Sequence, residues 1–364
     1  MFIKISVENK IIFLQPFIPH YREEFFQLLG EKVDRDIYVY ESSPTKLKYF
    51  QQSNINVKNI GNIQWKGFLI YNPIPFLSGK YDTIVLMWHF GHITTWLLLL
   101  TKFIHRKKMI LFGQGISVKR YLKEEIKPDW KLKYQLKLAD GAWVYMEKEQ
   151  KQWARIFPRK PIEALNNTIS NISEIVQTEI AATDKNKNKK KYGITQRRIL
   201  LFCARFENPY RRVDLLIETI KRLPSDEFGV IIIGAGVFKP DFGEYPNVYD
   251  FGTVYDNQIK YELFSIADIY FQPGWVGLSI VEAMAYSLPV FTFKRTDEIK
   301  QCVEYSYISD KENGMLFNNM EECLQVLQNI TDDEINAMGN NARQMVKEKL
   351  SVSSMVNNAL NIFV

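Results

Sequence analysis

Cysteine is scarce. Cys203, Cys302 and Cys323 are the only three in 364 residues, and they form neither a C-x-x-C pair nor a disulfide framework. A reducing, cytoplasmic setting is therefore expected. Histidines number four, with no H-E-x-x-H among them, so a zinc site is discounted and no metal is expected. No uncharged apolar run reaches the roughly 18 residues of a spanning helix. Glu8, Asn9 and Lys10 interrupt the start before any apolar signal core. A strong charge of either sign is lacking too. The net charge of +6 is modest and favours anionic partners such as nucleoside diphosphates, lipid phosphates or a membrane surface. What is present, 46% apolar and 24% charged residues, is the composition of a globular protein long enough for two α/β domains.

Apolar runs and breakers alternate in the order strand, helix, strand, which predicts mostly parallel sheets. In the first half the strands are Ile11–Leu14, Asp36–Tyr40, Tyr81–Met87, Met109–Phe112 and Ala142–Tyr145. The loop Gln15–Arg22 follows the first of them, and at a strand's carboxyl end it puts His20 and Arg22 where ligands bind in open α/β sheets. His89 and His92 follow the third. Imidazole has the pKa of a general base, although orienting an acceptor is an equal reading. Trp96–Lys108 is apolar with a basic end. It reads as a buried helix and solvated turn, or as a face resting on an anionic inner leaflet.

Thr183–Lys191 is basic and lacks apolar periodicity, a surface excursion near a domain junction. Without interleaved aromatics it gives no reason to expect nucleic acid. Beyond it, Arg198–Phe206 is a strand, Arg205, Arg211 and Arg212 precede the helix opening at Val213, and Gly229–Ile233 runs into Gly234-Ala235-Gly236. Cations at a helix start oppose its dipole unless an anion is present.

The stretch Pro273–Pro289 organises the chain. The strand Ala267–Phe271 enters a loop broken by Pro273, Gly274 and Gly277, and helical spacing runs from Leu278 to Pro289. Free amides at such a loop suit a phosphate or sugar hydroxyl. Glu282, one turn in, can point back toward the loop, where a carboxylate suits a ribose diol.

Gly277-Leu278, Glu282-Ala283-Met284-Ala285 and Leu288-Pro289-Val290 resemble the donor-site signature of retaining GT-B glycosyltransferases of family GT4 (glycosyltransferase group 1), E-G-F-G-L-x-x-x-E-A-M-A-x-G-x-P-V. The family's first glutamate falls on Gly274, and Ser287 replaces a usual glycine. The resemblance is good over residues 196–320 and looser before. There it touches the P-x-x-P-x-Y-R opening, Pro16–Arg22, and the segment Leu165–Ile169 that closes the first domain.

The resemblance implies two Rossmann-like domains facing each other across a cleft. Residues 1–175 would hold a glycan or lipid-linked acceptor, 176–196 a basic linker, and 197–345 a nucleotide-diphosphate sugar. A C-terminal helix within 346–364 would cross back to the first domain. Arg205 and Arg211, with Arg212 alternative to Arg211, would clamp the diphosphate. Gly234, Gly236, Gly274, Trp275, Val276, Gly277 and Leu278 would line the donor, and Glu282 would take the ribose. Arg205, Arg211, His89 and His20 are the candidate catalytic groups. The implied activity is sugar transfer with retention in bacterial surface polysaccharide or lipopolysaccharide synthesis, with no permanent cofactor or metal, on a protein that is cytoplasmic or peripheral on the inner membrane face. The Gly274 departure leaves a second reading, a non-catalytic scaffold of the same fold. An NAD enzyme is disfavoured, because Gly234-Ala235-Gly236 lacks the third spaced glycine.

Overall fold

The structure is a computed structural model that describes residues 10–41, 54–178 and 182–363. The readings made on Glu8 and Asn9 lie outside the described residues. The chain divides into two compact units, Met1–Ser170 with Val352–Val364, and Asn171–Ser351.

The first unit contains β1 (Lys10–Gln15), β2 (Asp34–Val39), β3 (Lys58–Asn59), β4 (Asn62–Trp65), β5 (Phe68–Tyr71), β6 (Thr83–Met87), β7 (Lys108–Gly113), β8 (Gly141–Val144) and β9 (Ile162–Ala164). Seven of these form one sheet in the order β3-β2-β1-β6-β7-β8-β9, with every pairing parallel. The central strands read as continuous apolar runs because both faces are covered; Ile11, Ile12, Phe13 and Leu14 are fully buried. The helix Val352–Asn361 belongs to this unit. Its Ala359 carbonyl accepts from Trp143 Nε1 at 3.1 Å, and the Ile362 carbonyl beyond it accepts from Lys108 Nζ at 2.7 Å.

β4 and β5 stand apart as an antiparallel hairpin. Lys66 (φ 45°) and Gly67 (φ 84°) form its turn, both with the positive φ that matches strand twist in a two-residue loop. The sequence reading passed over it because its alternating apolar residues, Ile63 and Trp65 on one strand and Phe68 and Ile70 on the other, face outward rather than into a core.

The second unit contains β10 (Arg198–Cys203), β11 (Phe228–Ile233), β12 (Val248–Asp250), β13 (Ile269–Phe271), β14 (Val290–Phe293) and β15 (Gly314–Phe317). They form one parallel sheet in the order β12-β11-β10-β13-β14-β15. The basic run expected as a solvated linker is instead, from Ala182 to Lys191, a helix. Acids and polar groups of the second unit hold it: Lys185 pairs with Asp268, Lys191 Nζ lies 2.6 Å from Glu262 Oε2, and buried Asn188 Nδ2 donates to Ser265 Oγ at 3.0 Å. Its cations are docked by pairing rather than by an apolar stripe, which is why periodicity missed the helix.

Candidate functional site

In an open parallel sheet the chain leaves a crevice outside the carboxyl ends of the two strands between which the winding reverses. In the second unit those strands are β10 and β13. The loop after β10 carries Arg205, Arg211 and Arg212, and the loop after β13 carries Gly274 to Leu278 and leads to Glu282. Two distant segments of sequence thus meet at one place.

The meeting is a network of specific bonds. Arg211 Nε donates to the Arg205 carbonyl at 3.1 Å, and its Nη1 donates to the Trp275 carbonyl at 2.5 Å. Burial pushes the guanidinium below its usual pKa, yet arginine stays charged. Trp275 is held at φ 51°, a strained value for a bulky residue. Its amide donates to the Lys300 carbonyl at 2.8 Å, its carbonyl also accepts from Gln272 Nε2 at 2.7 Å, and its ring stacks on Tyr210 with centroids 4.9 Å apart. Arg212 is already engaged: its Nε and Nη2 fork onto the Asp214 carboxylate at 2.9 and 2.6 Å.

Gly274 explains the missing glutamate. A Cβ there would lie 2.5 Å from the Tyr210 carbonyl oxygen and 2.9 Å from Arg212 Cγ, so the segment Glu207–Tyr210 fills the space a side chain would need. Gln301 is fully buried and ties the loop to β14. Its Oε1 accepts from the Val276 amide at 2.9 Å, and its Nε2 donates to Thr292 Oγ1 and the Phe293 carbonyl, each at 2.9 Å. The Val276 amide is therefore spent within the protein. Those of Gly277 and Leu278 donate to no protein acceptor among the described residues.

Gly234 and Gly236 are close-approach positions. Cβ atoms on them would come within 2.0 Å of the Ala204 oxygen and 2.5 Å of the Phe206 carbonyl. The Gly234 amide already donates to the Gly252 carbonyl at 2.6 Å. These glycines let the loop after β11 lie against the loop bearing Arg205.

The helix Ser279–Ala285 turns its residues from Ile280 onward into the core. It ends at Ser287, held at φ 60°, the left-handed position at which glycine is usual. Glu282 faces a cavity of about 270 Å³ lined by the helix Ile172–Gln177 and by Asn257, Lys260, Tyr261 and Tyr286. Lys260 Nζ donates to its Oε1 at 2.6 Å. Burial, the largest single influence, would lower the Lys260 pKa, but the Glu282 charge and hydrogen bond together with Cys203 and Tyr255 outweigh it and hold the ammonium above its ordinary value. Glu282 Oε2 accepts no hydrogen bond from the protein among the described residues. Arg205 and Arg211 do not line this cavity. Between the two groups lies Cys203, pushed up to about 12 by burial and the Glu282 charge against the pull of Lys260 and Arg211. Its thiol stays protonated. Lys260 was not singled out in the sequence, because its partner Glu282 lies 22 residues away.

In the first unit the winding reverses between β1 and β6, and the loops after them carry His20 and the pair His89 and His92. His89 Nδ1 accepts from the Gly91 amide at 3.1 Å, which leaves the proton on Nε2 in the neutral ring. His89 therefore offers a donor for orienting a hydroxyl rather than a vacant base. His20 sits in the turn His20–Arg22, its carbonyl accepting from Ser170 Oγ at 3.2 Å.

His92 is 5% exposed, and burial, with His89 adding, pushes it down to about 3. Below pH 6.5 the unfolded chain binds a proton that the folded ring refuses. Stability is then full above pH 6.5 and falls on the way to pH 3, by on the order of 3 kcal/mol between pH 6.5 and pH 4. Urea midpoints over that window, with and without His92→Gln, measure it. Most of the slope is expected to vanish in the variant, because the paired Asp36, which lies below the usual carboxylate range, acts at lower pH.

Two such units make the GT-B fold. Residues 197–333, which lie in the second unit, match the family model Glycosyl transferases group 1. Solved structures agree in fold. Anabaena Alr3699/HepE in complex with UDP superposes with a TM-score of 0.66 at 15% identity, covering 98% of this chain and 99% of that one. Sucrose-phosphate synthase of Thermosynechococcus elongatus gives 0.69 at 14%, covering 98% of each chain. The lipopolysaccharide outer core galactosyltransferase WaaB gives 0.64 at 14%, covering 97% of this chain and 99% of the other. No curated protein matches the chain by sequence. Among the described residues no group of three or more His, Cys, Asp or Glu could hold a metal ion.

Proposed function

We propose that the protein transfers a sugar, with retention, from a nucleoside-diphosphate sugar to a glycan or lipid-linked acceptor in bacterial surface polysaccharide synthesis. The observation that carries this reading is the convergence of Arg211 and Glu282 from the two loops of one sheet reversal. Glu282, fixed by Lys260 through one oxygen, accepts from the ribose hydroxyls with the other. Arg211, fixed by two carbonyls, keeps Nη2 for the diphosphate, and Arg205 adds the second cation. As the glycosidic bond breaks, negative charge grows on the leaving diphosphate, and prepositioned cations stabilise it without reorganising. The Gly277 and Leu278 amides serve the phosphate or the sugar, and His89 orients the acceptor hydroxyl. The setting is supported by the likeness to WaaB, and a UDP-sugar donor by the likeness to HepE, which was solved with UDP-glucose.

The test is release of nucleoside diphosphate from a panel of UDP-, GDP- and ADP-sugars, with and without candidate acceptors. Release from one donor class supports transfer. Tight binding without release from any donor, in the presence of acceptor extracts, favours the non-catalytic reading that Gly274 prompted.

A further inference from the structure

The hairpin of β4 and β5 is two-faced. Leu69 and Tyr71 turn into the core, where the Tyr71 amide donates to Thr94 Oγ1 at 2.9 Å and Leu69 bridges to His92. The register pairs Ile63 with Ile70 and Trp65 with Phe68. Residues directly opposite in an antiparallel ladder share a face, so these four apolar side chains lie on the other side of the ribbon. All four are exposed, Trp65 to 65%. An apolar face left in water costs stability for nothing within the fold.

The exposure continues onto the elements bonded to the hairpin. The helix Ile93–Leu100 buries Leu98 and Leu99 but leaves Leu97 and Leu100 out, and Phe103 beyond it is 76% exposed. Against this helix packs Trp130–Leu138, with Trp130 and Tyr134 exposed. Cations accompany the aromatics. Lys66 at the hairpin tip lies 5.0 Å from the Trp65 ring centroid, Lys131 lies 4.6 Å from that of Phe90, and Lys133 and Lys137 are exposed. Of the seven lysines and arginines in residues 54–108, Lys58 and Lys80 pair with Asp36, Lys102 pairs with Asp140 and Lys107 is buried, so the positive charge of the face comes from Lys66 with Lys131, Lys133 and Lys137.

We infer that this face docks on an anionic lipid bilayer, with the β4–β5 hairpin entering the head-group region. Aromatic and aliphatic side chains beside lysines are the composition of an interfacial anchor. The charge argues against a second copy of the chain, which would bring lysine against lysine. Among the described residues no helix is long and apolar enough to cross a membrane, so the contact is peripheral. The hairpin tip also lies against the acceptor-side loop, since a Cβ on Gly91 would come within 2.4 Å of the Gly67 carbonyl. Docking here would bring a lipid-linked acceptor toward His89. The inference stands apart from the catalytic reading, because binding is measured without turnover.

The experiment is flotation of the full chain with vesicles of phosphatidylcholine alone and of phosphatidylcholine mixed with phosphatidylglycerol, alongside size-exclusion chromatography. The wild type is expected to float with the anionic vesicles, less so as salt rises. Lys66→Gln should weaken partitioning about fivefold, and Trp65→Gln with Phe68→Thr about tenfold or more. All three side chains are exposed, so melting curves should be unchanged. Failure of the folded wild type to bind anionic vesicles would overturn the inference. So would binding that ignores the hairpin substitutions, or a dimer that they turn into a monomer, which would assign the face to a second copy.

Discussion

Replacing Arg211 by methionine is expected to lower nucleoside-diphosphate release by about 10²–10³-fold, the loss typical of removing one donor aimed at developing charge. The size follows from how the side chain is held. Its Nε and Nη1 are committed to the carbonyls of Arg205 and Trp275, which belong to the loops after β10 and β13. The guanidinium therefore spans the sheet reversal and does not move when an anion arrives. Methionine also strands the two carbonyls, at about 1–3 kcal/mol of stability, so a melting curve must accompany the kinetics. Arg211→Lys separates charge from geometry. It keeps the cation but cannot fork between two carbonyls and still face the diphosphate, and its turnover should fall between methionine and wild type.

Restoring the family's glutamate at Gly274 is expected to harm the protein. The new Cβ would meet the Tyr210 oxygen at 2.5 Å, a backbone atom that yields only if the whole segment shifts. That segment leads directly into Arg211 and holds Tyr210 against Trp275. The expected cost is about 1–3 kcal/mol, with nucleotide binding weakened because Arg211 moves. A rise in activity for Gly274→Glu, from protein of unchanged melting temperature, would show instead that the site lost a working carboxylate. Gly274→Ala distinguishes sterics from charge, since it introduces the clash alone.

The parallel sheets were legible because their strands are buried on both faces and appear as unbroken apolar runs, as in Ile11–Leu14 and Ile199–Phe202. The loop between β13 and the helix Ser279–Ala285 was legible because breakers cluster where the chain turns: Pro273, Gly274 and Gly277 before the helix, Pro289 after it. Pairing was not legible. Lys260 reaches Glu282 across 22 residues and Gln301 reaches Val276 across 25, and no local pattern encodes such contacts. Arg212, one residue from Arg211 and chemically the same, is separated from it only by where each guanidinium lands. The docked helix Ala182–Lys191 was misread because its binding energy comes from ion pairs, while the hairpin was missed because its apolar residues face outward.

The account rests on a nucleoside diphosphate sitting between Arg211 and Glu282. Its most direct test is a thermal-shift panel of UDP, GDP, ADP, CMP and NAD on the wild type and on Glu282→Ala. One nucleoside diphosphate should stabilise the wild type, by about 2.7 kcal/mol at a hundredfold excess over its dissociation constant. The variant, having lost a charged acceptor for the ribose, should bind it about 10–100-fold more weakly. Stabilisation by NAD in preference to any diphosphate, or a diphosphate shift that Glu282→Ala leaves intact, would contradict the account.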